Sequence, residues 1–290
     1  MKNSSQDQGT NEGHSLIGLI KAHNLLTYIV LTFLITFGAW IGAILTGVGT
    51  LFDIGLWGPA LSAILITAVT SGKLGLKDLF RRLLLWRVPA RWYLVITFGW
   101  PGIMILAALL HAQITNQPLS FQWNRWSGVL TWLLAAPVLG FWACEEIGWR
   151  GFALPRLLDR WNALFSSIIL GIVWWLWHLP YFLGMEGINP DFYPFLVFTV
   201  SLSILMTWVF NHTQGSIFVA TFFHFWINVY EGLQADKLPL TDPGGETMAR
   251  YWLLAGAAIL VVLLYGYRSL TRDRKSSVQV TKIFSGGQNV

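Results

Sequence analysis

The sequence predicts an all-α, polytopic membrane protein of about eight transmembrane helices with a polar intramembrane site. Three observations carry that prediction. Hydrophobic residues make up 54% of the 290-residue chain and charged residues 11%, the balance of a chain embedded in lipid. The apolar residues gather into eight runs, most of them close to the ~20 residues needed to cross a hydrocarbon core as helix. The basic residues crowd beside alternate runs, so that 16 of the 19 fall on one side of the membrane once eight crossings are drawn.

The runs cover 25–48, 55–72, 93–112, 128–150, 162–183, 192–210, 214–231 and 250–267, and the fourth can continue as helix to about Leu158. Residues 1–24 are mostly polar and predict a disordered cytoplasmic N-terminus. The first run is too long for a signal-peptide core and reads as a retained transmembrane helix. It opens a block of N-terminal transmembrane helices over 25–127. Within that block, segment 73–92 carries Lys73, Lys77, Arg81, Arg82, Arg87 and Arg91 among Leu74, Leu76, Phe80, Leu83, Leu84 and Trp86. It reads either as an amphipathic helix on an anionic inner leaflet or as an ordinary basic loop. The core of the chain lies over 128–232, the last transmembrane helix over 250–267, and a basic cytoplasmic tail over 268–290.

Positive loops stay in the cytoplasm, so both termini are expected there and the acidic stretch 231–249 is expected outside. The basic excess is thus explained by topology, and no nucleic-acid partner is expected. The lipid bilayer is the expected surrounding. Seventeen tryptophans suit interfacial anchoring. A single cysteine excludes an internal disulfide framework and any multi-cysteine metal site.

Polar residues inside the runs then need a reason, because a charge at mid-bilayer costs about 2.5–3.5 kcal/mol on insertion scales. Glu145, Glu146 and Arg150 end the fourth run, His178 lies in the fifth, and His224 and Asn228 lie four apart in the seventh. If the fourth and fifth runs form a hairpin turning near Trp161–Asn162, Glu145 and His178 stand about sixteen residues along each arm and reach the same depth. Glu146 precedes Arg150 by four residues, the favourable order for an intrahelical ion pair. Glu145 projects about 100° away from Glu146 and need not share that pair. A carboxylate, two imidazoles and a carboxamide held away from lipid suit water activation and oxyanion binding, the needs of peptide hydrolysis. The same cluster also suits a proton-coupled transporter or a noncatalytic peptide-binding or immunity protein. Cys144, adjoining Glu145, reads as packing.

Taken in order, Glu145-Glu146-x-x-x-Arg150, Trp174-x-x-x-His178 and His224-x-x-x-Asn228 resemble the motifs of the CAAX protease and bacteriocin-processing family, also called Abi, over about residues 128–232. The resemblance implies an intramembrane endopeptidase acting on a peptide or protein substrate in a bacterial-type plasma membrane. It implies Glu145 as general base on water, His178 positioning that water, His224 and Asn228 holding the oxyanion, and Glu146 with Arg150 supporting them. No cofactor is expected; were zinc bound, Glu145, His178 and His224 would be its ligands, although no compact His-Glu-x-x-His helix is present. The chain departs from the family at Trp174, where phenylalanine is usual.

Overall fold

The computed structural model describes residues 16–116, 139–184, 187–189, 191–235 and 246–272. In chain order the α-helices are α1 (Leu16–Ala22), α2 (Asn24–Thr46), α3 (Thr50–Leu56), α4 (Gly58–Leu83), α5 (Ala90–Thr115) and α6 (Leu139–Gly148). A π-helical turn, Trp149–Ala153, joins α6 to α7 (Leu154–Leu158). There follow α8 (Ala163–Trp177), a 3₁₀ turn (Leu179–Phe182), α9 (Phe192–His212), α10 (Ile217–Ala235) and α11 (Glu246–Tyr265). One minimal antiparallel hairpin pairs β1 (Leu183–Gly184) with β2 (Gly187–Ile188).

Among the described residues five helices (α2, α4, α5, α9 and α11) are long and apolar enough to cross a membrane, while α8 and α10 are shorter apolar helices. They coincide with seven of the eight runs. The eighth is the α6–π–α7 unit, which does continue as helix to Leu158. The start of that run lies outside the described residues, as do the first fifteen residues, most of the acidic 231–249 stretch and most of the basic tail. The protein is a helical integral membrane protein.

Local sequence accounts for several boundaries. α8 starts where the Asn162 side chain accepts a hydrogen bond from the Phe165 backbone N–H at 3.0 Å, satisfying one orphan donor of the first turn. It stops at Trp177, with His178 as C-cap and Pro180 in the following 3₁₀ turn, because proline cannot continue the ladder. Gly171 on α8 faces α9 so closely that an added Cβ would lie 2.6 Å from the Val200 Cα, and the two helices pack along much of their length.

The structure adds detail to three expectations. Within the N-terminal 1–24 segment α1 forms and contacts α4 and α2, with Ile20 packed against the core while Leu16, Ile17 and Leu19 stay exposed. Segment 73–92 begins as helix: its first half, to Leu83, is the part of α4 beyond a break at Gly72, with Lys73, Lys77 and Arg81 exposed and Leu79 and Arg82 buried. That helix bends at Gly72, whose φ of 60° and ψ of −152° break the helical path, a conformation open to glycine alone at little cost. Among the described residues tryptophan divides between core and surface: Trp40, Trp92, Trp100, Trp149, Trp174 and Trp177 are buried, while Trp57, Trp86, Trp161 and Trp252 are exposed.

The buried tryptophans build the floor on which the polar site stands. The Trp177 indole N–H donates to Thr36 Oγ1 at 2.8 Å, Thr36 donates to the Gly55 carbonyl at 2.8 Å, and Trp40 donates to the Phe52 carbonyl at 2.9 Å. This chain of bonds ties α8, α2 and the short α3 together below the cavity. Each bond satisfies an indole or hydroxyl that burial would otherwise penalise.

Candidate active site

Glu145 and Glu146 occupy the last turn of α6, Arg150 the π turn, His178 the C-cap of α8, and His224 and Asn228 one face of α10. Glu145, Glu146, Arg150 and His224 are buried, whereas His178 and Asn228 are half-buried. Glu145, His178, His224 and Asn228 line one cavity of about 440 Å³, whose wall is largely aromatic: Trp40, Phe52, Trp174, Phe195, Phe198 and Tyr251. The four residues expected to meet therefore do meet. Glu146 and Arg150 do not line the cavity; they stand behind it.

The two carboxylates have separate partners. Glu146 Oε1 accepts from Arg150 Nη1 at 2.9 Å and from His224 Nδ1 at 2.8 Å. An ionised carboxylate can only accept, so the proton of that second bond sits on His224 Nδ1. Its Nε2 is then turned toward Glu145 Oε1, 3.9 Å away. That separation is too long for a direct hydrogen bond, and it suits two groups that share a third between them. Glu145 Oε2 accepts from the Trp174 indole N–H at 2.9 Å and faces the Trp149 indole N–H at 3.4 Å.

His178 is oriented by backbone. Its Nδ1 lies 2.7 Å from the Trp174 carbonyl oxygen; a carbonyl accepts, so Nδ1 carries the proton and Nε2 the lone pair of the neutral ring. Both imidazoles thus use Nδ1 to anchor and keep Nε2 for the site. Arg150 lies with its guanidinium carbon 4.8 Å from the centre of the Trp174 ring, and Trp174 meets the His224 ring edge-on at 5.3 Å.

Among the described residues, no group of three or more His, Cys, Asp or Glu side chains converges as a metal cage. Cys144 is buried in the apolar core, as its apolar flanks suggested. His212 is half-buried, donates from Nδ1 to the Trp208 carbonyl at 2.8 Å and packs against Trp92 and Tyr265. Arg150 is fully buried and pairs with Glu146 behind the cavity.

Sequence reasoning missed the two indoles on Glu145. A signal was present, since Trp149 stands four residues after Glu145 and Trp174 four before His178, each on the same helical face as its neighbour. Tryptophan in a membrane helix is read as apolar bulk, so its single donor went uncounted.

Buried carboxylates and imidazoles gathered between apolar helices define a membrane protein with a polar intramembrane centre. Comparison with known proteins narrows this. The family description "Type II CAAX prenyl endopeptidase Rce1-like" matches residues 121–230. The chain is also 28% identical over 232 residues to the protein named CAAX prenyl protease 2 of Methanococcus maripaludis, covering 73% of this chain and 86% of that relative. These matches fall on the same stretch as the motifs, so residues 121–230 are similar to CAAX prenyl endopeptidases.

Proposed function

We propose that the protein is an intramembrane endopeptidase in which Glu145 activates water for attack on a peptide bond. The observation that carries this reading is the arrangement of Glu145 Oε1 and His224 Nε2 on one cavity shared with His178 and Asn228. Glu145 takes a proton from water while the lone pair of His178 Nε2 holds the water's other hydrogen. The hydroxide oxygen bonds to the scissile carbonyl carbon. Negative charge then develops on the carbonyl oxygen, where the Asn228 amide and a protonated His224 Nε2 donate; one such donor is worth about 10²–10³ in rate. Glu146 accepts from His224 Nδ1 and so holds the ring in place, and Arg150 pairs with Glu146. The proton on Glu145 passes to the amide nitrogen as the C–N bond breaks, leaving a carboxylate and an amine.

In this reading the substrate is a membrane-associated peptide or protein, and its apolar part rests against the aromatic cavity wall. Both chain termini are cytoplasmic, on the side carrying most of the basic residues. No step uses a metal.

The test is cleavage in proteoliposomes of an internally quenched peptide bearing a prenylated cysteine near its carboxyl end, the substrate chemistry in the curated relative's name. In parallel, membrane peptides are compared by mass spectrometry in cells carrying wild-type or Glu145→Gln protein. Products that depend on Glu145 and persist with a zinc chelator are expected. Full cleavage by a folded Glu145→Gln protein would overturn the reading, and solute flux without proteolysis would point to a carrier.

A further inference from the structure

We propose that Trp174 is a positioning residue for the general base. Its indole N–H pins one oxygen of Glu145 so that the other is the one presented to water. The inference rests on the reading of Glu145 as base and adds a residue to it.

The two oxygens of Glu145 are not equivalent. Oε2 accepts the Trp174 Nε1 proton at 2.9 Å and has Trp149 Nε1 at 3.4 Å. Oε1 faces His224 Nε2 across 3.9 Å. Trp174 is itself held on every side. It is 3% exposed, Arg150 lies over its ring, the His224 ring meets it edge-on, and its carbonyl accepts from His178 Nδ1. The indole cannot turn away without disturbing these contacts, so the donor is fixed before any substrate arrives. A pre-set donor needs no reorganisation during reaction, and its angular hold limits the wandering of a carboxylate on a flexible side chain.

The alternative is that Trp174 only fills space. Packing and donation can be separated, because packing needs the ring while donation needs the N–H. Replacing Trp174 by β-(3-benzothienyl)alanine keeps the fused ring and substitutes sulfur for the N–H. Trp174→Phe removes the N–H and also part of the volume. A hydrogen bond to a charged group has a net worth corresponding to about 10- to 100-fold in rate. Both variants are therefore expected to lose that much in kcat. In the benzothienyl variant KM stays within about twofold, because the cavity wall is unchanged.

The acid limb of the kcat/KM profile should also move to higher pH, since losing a donor to the carboxylate makes ionisation harder. The ionisable groups around Glu145 are Glu146 and Cys144 on its own helix, His224 on α10 and Tyr28 on α2. His178 and Arg150 lie just beyond. All of these remain in both variants, so a displaced limb reports the missing donor.

A measurement independent of substrate closes the test. The full-length protein in liposomes is titrated by infrared difference spectroscopy, and the carboxyl band absent from Glu145→Gln is assigned to Glu145. Replacement of Trp174 by benzothienylalanine is expected to make that band appear at higher pH and higher wavenumber. An unchanged band and unchanged kcat would overturn the role of Trp174 while leaving Glu145 as base, whereas retained cleavage in Glu145→Gln would remove the base itself.

Discussion

Two acid–arginine pairs with the same spacing sit on opposite sides of the π turn, and they do different work. Glu146–Arg150 and Asp78–Arg82 both place the acid four residues before the arginine, with N···O distances of 2.9 Å. The first is fully buried, and its carboxylate also holds His224. In the second, Asp78 stays 22% exposed and gives its other oxygen to Arg81, which is 63% exposed. Arg82 is buried and donates from Nη2 to the Gly151 carbonyl at 2.8 Å, inside the turn that carries Arg150. The outer pair is thus a strut that fixes where the inner pair stands. The cavities on the two sides differ accordingly. One is aromatic and contains Glu145; the other, of about 350 Å³, is lined by Thr70, Ser71, Asp78, Arg82 and Arg156. Identical helical spacing backs the candidate site in one place and gives a support in the other, according to burial and to what the second partner is.

The sharpest way to break the comparison is chemical. Glu145→Gln removes the proposed base beside the inner pair and is expected to reduce cleavage about 10³-fold, within the range for general acid–base catalysis, with thermal stability retained. Next comes Arg150→Ala, which leaves Glu146 charged and buried with only His224 against it. Unfolding in mixed micelles should show a loss of about 3–5 kcal/mol, partly recovered in the double variant Arg150→Ala with Glu146→Gln. Arg82→Ala removes the strut and orphans the Gly151 carbonyl, for a loss of about 1–3 kcal/mol. Its lower activity should then come through the displaced turn, and wild-type stability would show that the strut carries nothing. The smallest effect belongs to Arg81→Ala, whose exposed ion pair is expected to change stability by less than about 0.5 kcal/mol.

The comparison also shows what could be read from sequence. Apolar runs gave the helices because burial in lipid demands length and hydrophobicity, both of which are additive along the chain. Matched depth for Glu145 and His178 came from helical rise alone, and the two do line one cavity. Other features depend on three-dimensional neighbours. Arg82 lies in a basic, interleaved stretch and reads as surface, yet a bend at Gly72 and a carbonyl sixty-nine residues away bury it. The π turn at Trp149–Ala153 leaves no periodic signature in so short a segment. The hydrogen bond from Trp174 to Glu145 joins residues twenty-nine apart on two different helices, so that spacing along one helix does not reveal it. α1 went unseen because seven residues are too few to raise a helical signal above a polar flank.

A regular α-helix fixes the azimuth of every side chain once one is set. The wide turn after Gly148 relaxes that rule by about one residue. Upstream of it the chain shows a carboxylate to a greasy chamber; downstream, Arg156 borders a hydrophilic one. A change of environment that would ordinarily call for a break in the backbone is achieved here along an unbroken rod. The main-chain groups stay bonded where lipid would not tolerate them open.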